Sequence, residues 1–399
     1  MKKTASLLIA IIALTALTIV PTGNFTDAGG FWQSTNPAIS GDIVVGVKGE
    51  TGIMAFKLSD KSPVWPQPYQ TVDRVYTSPT IHGDKIYQVL TLAEAPYRFL
   101  VCLELATGKE VWKAKVEKAH YSRPMVFDDG IILGTTGFNS GKGTIMSFDM
   151  NGKLVWEWKD GEGWIYGTPA RLKIEKSDSK LDVILAGSIR GKVYPVNYAT
   201  GKNAKIWKNA FFETDGKGPN PTNPYNDGGP IECDTNLVKE GDNYYLYFGS
   251  LDGCVYKVDA LSGTKVWSFY DNNVRWCKST PLVINGRVFI GAQAVSDKGN
   301  GMYCLDAATG AKLEYFKTDD YVNSSPSAVQ GSNIVFGTDN GIIYCLDQNL
   351  KEVWKTSVGG ITSCRPATTN DYVVVTSRST ATVGQETICL KASTGAKVW

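Results

Sequence analysis

The chain has 399 residues, 43% of them apolar, with 41 glycines, 19 tyrosines, 14 phenylalanines and 11 tryptophans, which suits a turn- and strand-rich protein with a large core better than a helical one. Its 41 Lys and Arg against 39 Asp and Glu give a formal charge of +2, and loss of Lys2, Lys3 and Asp27 with a leader leaves the chain close to neutral, so nothing in the balance supports nucleic-acid binding. With only His82 and His120 and no Cys-x-x-Cys, the sequence also argues against histidine-rich metal sites, zinc knuckles, thioredoxin-like redox sites and c-type haem attachment.

The chain opens on MKK and the apolar run Leu7–Val20, which Pro21 and Gly23 end. That run is short for a bilayer span and reads as a signal peptide over 1–28 with cleavage near Ala28, the alternative being an uncleaved anchor. The protein is therefore expected to be exported, as a periplasmic, cell-envelope-associated or extracellular protein. No cysteine follows the run to take a lipid.

From residue 29 onward the chain is a repeat. Each unit reads as a short Ser/Thr-Pro strand, a β-branched strand, a strand ending near Leu-Asp, a turn, and a last strand ending in Trp. YTSPTIHGDKIYQV with VCLELATGKEVW is one example, and SSPSAVQGSNIVFG with IIYCLDQNLKEVW is another. Aligned on its end, the unit recurs at Trp65, Trp112, Trp156, Trp207, Trp267, Glu314, Trp354 and Trp399. The turns HGD, DDG, MNG, LDG, SGT and ING divide each unit into four β-prone segments. So small a sheet cannot bury both faces alone, whereas units packed radially around an axis cover one another. The expected fold is all-β: one eight-bladed β-propeller over 29–399, with four-stranded antiparallel blades. The seven tryptophans are expected to pack blade on blade. Glu314 breaks the series, with Tyr315 and Phe316 beside it as partial substitutes. Between Trp207 and Trp267 the Gly-, Pro- and Asn-rich stretch around 210–230 reads as an irregular insertion.

The Ala/Cys-Leu-Asp, Ala-Thr-Gly, Trp pattern, clearest at Cys304–Leu313 and Val101–Trp112, resembles the pyrroloquinoline-quinone-like repeats of the β-propeller family that includes BamB and the quinoprotein dehydrogenases. The resemblance implies an eight-bladed propeller with interlocking tryptophans, and it spans both enzymes and noncatalytic scaffolds. The dehydrogenases of the family hold their quinone against a disulfide between adjacent cysteines; this chain has no Cys-Cys pair. No catalytic residue, metal ligand or cofactor is assigned, and no Gly-x-Ser-x-Gly elbow is present.

Cys102, Cys304, Cys345 and Cys389 share one repeat position, ahead of Leu, while Cys233, Cys277 and Cys364 fall near inner strands. In an exported protein these cysteines make disulfides an expectation, with Cys254–Cys277 and Cys345–Cys364 as pairings that staple neighbouring blades. The segments leading into each inner strand bring Arg74, Tyr76, His120, Arg123, Trp164, Tyr166, Asp234, Arg275, Trp276, Lys278, Tyr321 and Arg365 toward one end of the axis as a candidate recognition rim. The leading functional reading is a noncatalytic recognition or assembly scaffold that binds protein partners through its loops. One alternative is an alcohol or sugar dehydrogenase dependent on pyrroloquinoline quinone (PQQ) and calcium; the other is a carbohydrate-binding or surface-structural propeller.

Overall fold

Alternating β-branched and aromatic residues between Gly, Asp and Asn turns become strand throughout: in the computed structural model every regular element among the described residues is a β-strand. The described residues are 35–399, apart from 50, 73–74, 93–97, 117–121, 137–141, 177–178, 217–228, 276–277, 296–298 and 380–383. The leader and most of the 210–230 insertion lie outside them.

Six antiparallel sheets form from consecutive strands, at 80–116, 125–158, 170–213, 236–270, 274–317 and 327–357. A seventh unites the two ends of the described chain. In it, Gly384–Lys391 pairs with Ile43–Gly49 through Lys48 opposite Glu386 and Gly49 opposite Gln385. The first strands of successive sheets touch, and Ala367–Thr368 touches Ala38–Ser40, so the arrangement is propeller-like and returns on itself. Central strands such as Lys85–Thr91 and Arg98–Glu104 are buried continuously because other sheets cover both of their faces, whereas the outer Glu110–Val116 is largely exposed.

Each repeat tryptophan extends its indole N–H to a backbone carbonyl in the following repeat: Trp65 to Leu105 (2.8 Å), Trp112 to Met150 (3.0 Å), Trp156 to Tyr198 (2.8 Å), Trp207 to Ala260 (3.0 Å), Trp267 to Ala307 (3.1 Å) and Trp354 to Ala392 (2.7 Å). Trp399 completes the series by reaching back to Leu58 at 2.9 Å. The turn glycine of the following repeat lies flat on the ring. A Cβ on Gly263 would meet Trp207 at 2.5 Å, and its φ of +69° already favours glycine. At the break in the series Glu314 is exposed, and the turn position of the next repeat is Leu350, buried at φ 56° in the space no indole fills. Phe316 carries the aromatic contact onward, edge-on to Tyr344 at 5.4 Å.

The expected disulfides are absent. Cys102, Cys254, Cys304, Cys345, Cys364 and Cys389 are buried free thiols, which removes both the Cys254–Cys277 and the Cys345–Cys364 staple. Cys102, Cys304, Cys345 and Cys389 occupy equivalent places in different sheets, each in a separate apolar cluster, and pack there as small apolar groups. Cys364 shares the cluster of Cys345 and is packed in the same way, unbonded to it. Burial pushes the thiols of Cys254, Cys345, Cys364 and Cys389 up to about 12. Cys364 Sγ also accepts a hydrogen bond from the Thr376 N–H at 3.2 Å.

Gly263→Ala is expected to cost about 2–3 kcal/mol through the clash with Trp207 and the positive φ, against about 1 kcal/mol for Gly241→Ala, where φ is +60° but the space is open. Urea-unfolding midpoints of the two variants measure the difference; equal midpoints would remove the indole contact as the cause.

Candidate functional site at the inner ring

The Ser/Thr-Pro segments do more than begin strands. Their hydroxyls, amides and carbonyls link one sheet to the next at the centre of the ring: Thr80 Oγ1 to the Pro124 carbonyl (2.6 Å), Asn236 Nδ2 to the Pro281 carbonyl (2.8 Å) and Ser327 Oγ to the Pro366 carbonyl (2.7 Å). Proline offers a carbonyl with no competing N–H, which suits a position where the neighbour supplies the donor. A second tier lies just above. The Thr168 N–H donates to Asp234 Oδ1 (2.7 Å), the Asp234 N–H to Thr280 Oγ1 (3.2 Å), and the Thr280 N–H to Ser325 Oγ (2.9 Å). Ser324 Oγ donates to the Cys364 carbonyl (2.6 Å), the Arg365 N–H to Asn36 Oδ1 (2.7 Å), and the Asn36 N–H to Ser78 Oγ (2.9 Å). This tier fixes the backbone from which several candidate rim residues project.

Of those candidates, Arg74, His120 and Trp276 lie outside the described residues. Arg123, Asp234 and Arg365 stand at equivalent places two residues before inner strands and are half-buried, while the buried Lys278 lies four residues before Leu282–Ile284. Trp164 and Tyr166 do not join them: both are buried in a small apolar cluster with Ile189. Tyr76 lies under the Arg98 guanidinium, 5.3 Å from the ring centre. Arg275 sits in the two-residue strand paired with Gln293 and Ala294, and Tyr321 is exposed with its carbonyl accepting the Asp339 N–H.

Two carboxylates stand out beside these. Glu232 is 6% exposed, and burial pushes its carboxyl up to about 7, with the Lys278 charge opposing the rise. Asp339 is pushed up to about 6 for the same reason, again opposed by Lys278 and by a 2.7 Å hydrogen bond from Asn323 Nδ2. Asp339 was not legible as a site residue. It belongs to the turn TDNG, whose composition signals only a turn. Burial also pushes Asp252 up to about 6; its turn carries the hydrogen bonds of Ser250 Oγ and Leu251 N to the Gly229 and Pro230 carbonyls, at the end of the 210–230 stretch.

Glu232 and Asp339 both face the one cation Lys278, while Asp252 stands apart with Tyr256 and Ser250. Among the described residues no group of three or more His, Cys, Asp or Glu gathers around a single centre. Two clefts of about 350 Å³ flank the seam instead, one on each side of Gln385 and Glu386. Their walls include Gly49, Gly359, Gly360 and Gly384, and one of them also carries Lys48 and the Lys61–Glu386 ion pair at 3.2 Å.

A family profile described as "Outer membrane protein assembly factor BamB" matches residues 77–217 and 178–399. The chain belongs to this family. Among solved structures it is similar to BamB from Moraxella catarrhalis, with a TM-score of 0.65 at 16% identity over 88% of this chain and 95% of the other. It is also similar to a quinohemoprotein alcohol dehydrogenase from Pseudomonas putida HK5, with a TM-score of 0.64 at 12% identity over 86% and 70% of the two chains. At these identities the likeness is one of fold, shared by a BamB and an enzyme alike. Two curated relatives match shorter stretches. The beta-alanine-activating enzyme of Danio rerio is 30% identical over 30% of this chain and 10% of its own length, and the tetrathionate hydrolase of Acidithiobacillus ferrooxidans is 27% identical over 39% and 34%. The chain thus spans about a tenth and a third of the curated relatives it matches.

The folded protein holds the Glu232 proton up to about pH 7, while an unfolded chain releases it near 4.5. The stability this contributes is complete below about pH 4.5 and is lost as the pH rises to about 7; Asp339 and Asp252 act in the same direction up to about 6. Glu232→Gln should flatten the decline between pH 5 and 7.5 by ~1–3 kcal/mol, read from urea midpoints across that range. A decline as steep as that of the wild type would remove Glu232 as its source.

Proposed function

We propose that this protein is a noncatalytic recognition and assembly scaffold of the cell envelope, exported by its 1–28 leader and binding protein partners through the loops around the mouth of its ring. The observation that carries the reading is membership, over residues 77–399, of the family described as outer membrane protein assembly factor BamB. The ring gives the reading a physical basis. Successive sheets are tied at the centre by hydroxyl, amide and carbonyl bonds and at the periphery by indoles, so the loops between them sit on a frame that loses little freedom on binding.

In this reading residues 29–399 are a single eight-bladed propeller with four-stranded blades. The seven-stranded sheet counts as two blades, its last outer strand being the segment that hydrogen-bonds Cys389 through Val398 and Trp399. The docking face is the rim of Tyr76, Arg123, Asp234, Arg275, Lys278, Tyr321 and Arg365, together with Arg74, His120 and Trp276. Aromatic and arginine side chains on a polar rim suit a protein partner, since they combine contact area with fixed donors.

In the native host, loss of the protein is expected to lower the amounts of outer-membrane β-barrel proteins by several-fold, as read by quantitative mass spectrometry of membrane fractions. The wild-type gene should restore them, and a chain carrying Arg275→Glu and Tyr321→Ala should restore them less. Unchanged amounts, together with saturable one-to-one binding of pyrroloquinoline quinone in the presence of calcium, would replace this reading with the dehydrogenase one.

A further inference from the structure

Arg365 responds to charges that do not come from neighbouring sheets. Burial lowers its pKa, Asp234 raises it and Arg123 lowers it further. Arg123 precedes the inner strand Met125–Phe127, Asp234 precedes Asn236–Glu240, and Arg365 precedes Ala367–Thr368. None of these three sheets adjoins another of the three in chain order or through the seam. Arg123 and Arg365 each stand two residues before an inner strand, in the tier where Asn36, Asp234 and Thr280 take N–H groups from other sheets, so both lead into the middle of the ring.

The two cations are only partly compensated there, by the single carboxylate of Asp234. Neither guanidinium has an ion pair or a side-chain hydrogen bond among the described residues, and Arg365 Nε is both shut off from solvent and without an acceptor. Asp234 is the one carboxylate acting on Arg365, and its Oδ1 already accepts the Thr168 N–H. Two residues away, Glu232 is 6% exposed, with no hydrogen-bond partner among the described residues, and Lys278 is 8% exposed. Two like charges and an unmet donor in a partly desolvated space are costly unless an anion joins them. Paired guanidinium forks match the two oxygens of a carboxylate better than they match a point charge.

We propose that the axial mouth is a carboxylate-binding site in which Arg123 and Arg365 jointly hold the anion and Asp234 positions Arg365. The carboxylate is that of a small organic acid or of an acidic side chain on a protein; the chemistry at the site is the same. The site stands on the placement of both arginines at inner-strand entries and on the unpartnered Arg365 Nε, and it is independent of the scaffold reading, since an envelope scaffold without a carboxylate site and a carboxylate-binding propeller with no assembly role are both self-consistent.

The test is calorimetric titration of the purified full chain with succinate and, separately, with an amidated peptide of six glutamates, at constant ionic strength set with chloride. Saturable one-to-one binding of succinate assigns a free acid, and binding of the peptide alone assigns a protein side chain; either supports the site. Affinity should fall about tenfold or more in Arg123→Gln, Arg365→Gln and the charge-preserving Arg365→Lys, and should be unchanged in Lys109→Gln, an exposed turn position. Removing one of two like charges should not unfold the protein, and far-UV circular dichroism checks each variant. For any variant that is not folded, a rise in the thermal midpoint of the wild type with succinate but not with chloride is the second readout. Failure of both probes to bind the folded wild type at millimolar concentration, or binding indifferent to all three arginine substitutions, would overturn the proposal.

Discussion

A sheet of three or four short strands with two apolar faces is stable only between two neighbours, and the structure meets this constraint by handing each repeat to the next through an indole. From Trp65 to Trp354 the ring lies over the following repeat's turn and its N–H caps that repeat's carbonyl. The glycine beneath is there because a Cβ would occupy the space of the ring. One tryptophan thereby does two things: it covers apolar area, and it satisfies a carbonyl left over where the chain turns.

The exceptions follow the same rule. Where Glu314 replaces tryptophan, the facing turn no longer needs glycine and holds Leu350. At the seam Trp399 faces Lys61, at φ 64°, whose ammonium lies 5.1 Å from the ring centre, while Phe56 packs at 6.2 Å. The seam also carries backbone pairing between Ile43–Gly49 and Gly384–Lys391, and Gln385 inside it accepts from the Thr35 N–H and donates to the Val75 carbonyl. Ends of the described chain are thus held by strand pairing as well as by an indole.

That inner tier produces the charged mouth. The backbone just before the inner strands is fixed by its hydrogen bonds, and there Asp234 and Arg123 act on Arg365 while Lys278 acts on Glu232 and Asp339. Burial at this point raises both of those carboxyls, so their charge responds to pH close to neutrality. Rigidity and electrostatics at the mouth therefore have one origin, the hydrogen bonds that bind the first strands together.

The sequence alone determined the repeat. Tryptophans at regular intervals, turn glycines ahead of them and Leu-Asp segments that end strands are local signals, each set by the conformational needs of a few residues, and they suffice for an all-β propeller-like chain. What they leave open depends on which surfaces meet. Cysteines near the strands of neighbouring blades suggested staples at Cys254–Cys277 and Cys345–Cys364, yet Cys254, Cys345 and Cys364 stay free thiols in the core. Trp164 and Tyr166 read as rim residues because aromatic groups serve contact and core alike; only packing against Ile189 places them inside. Asp339 sits in an ordinary turn, and nothing but the approach of Lys278 from another sheet makes it part of the mouth. Tertiary structure decided these points because burial and charge at the axis are properties of several sheets together, and no single repeat encodes them.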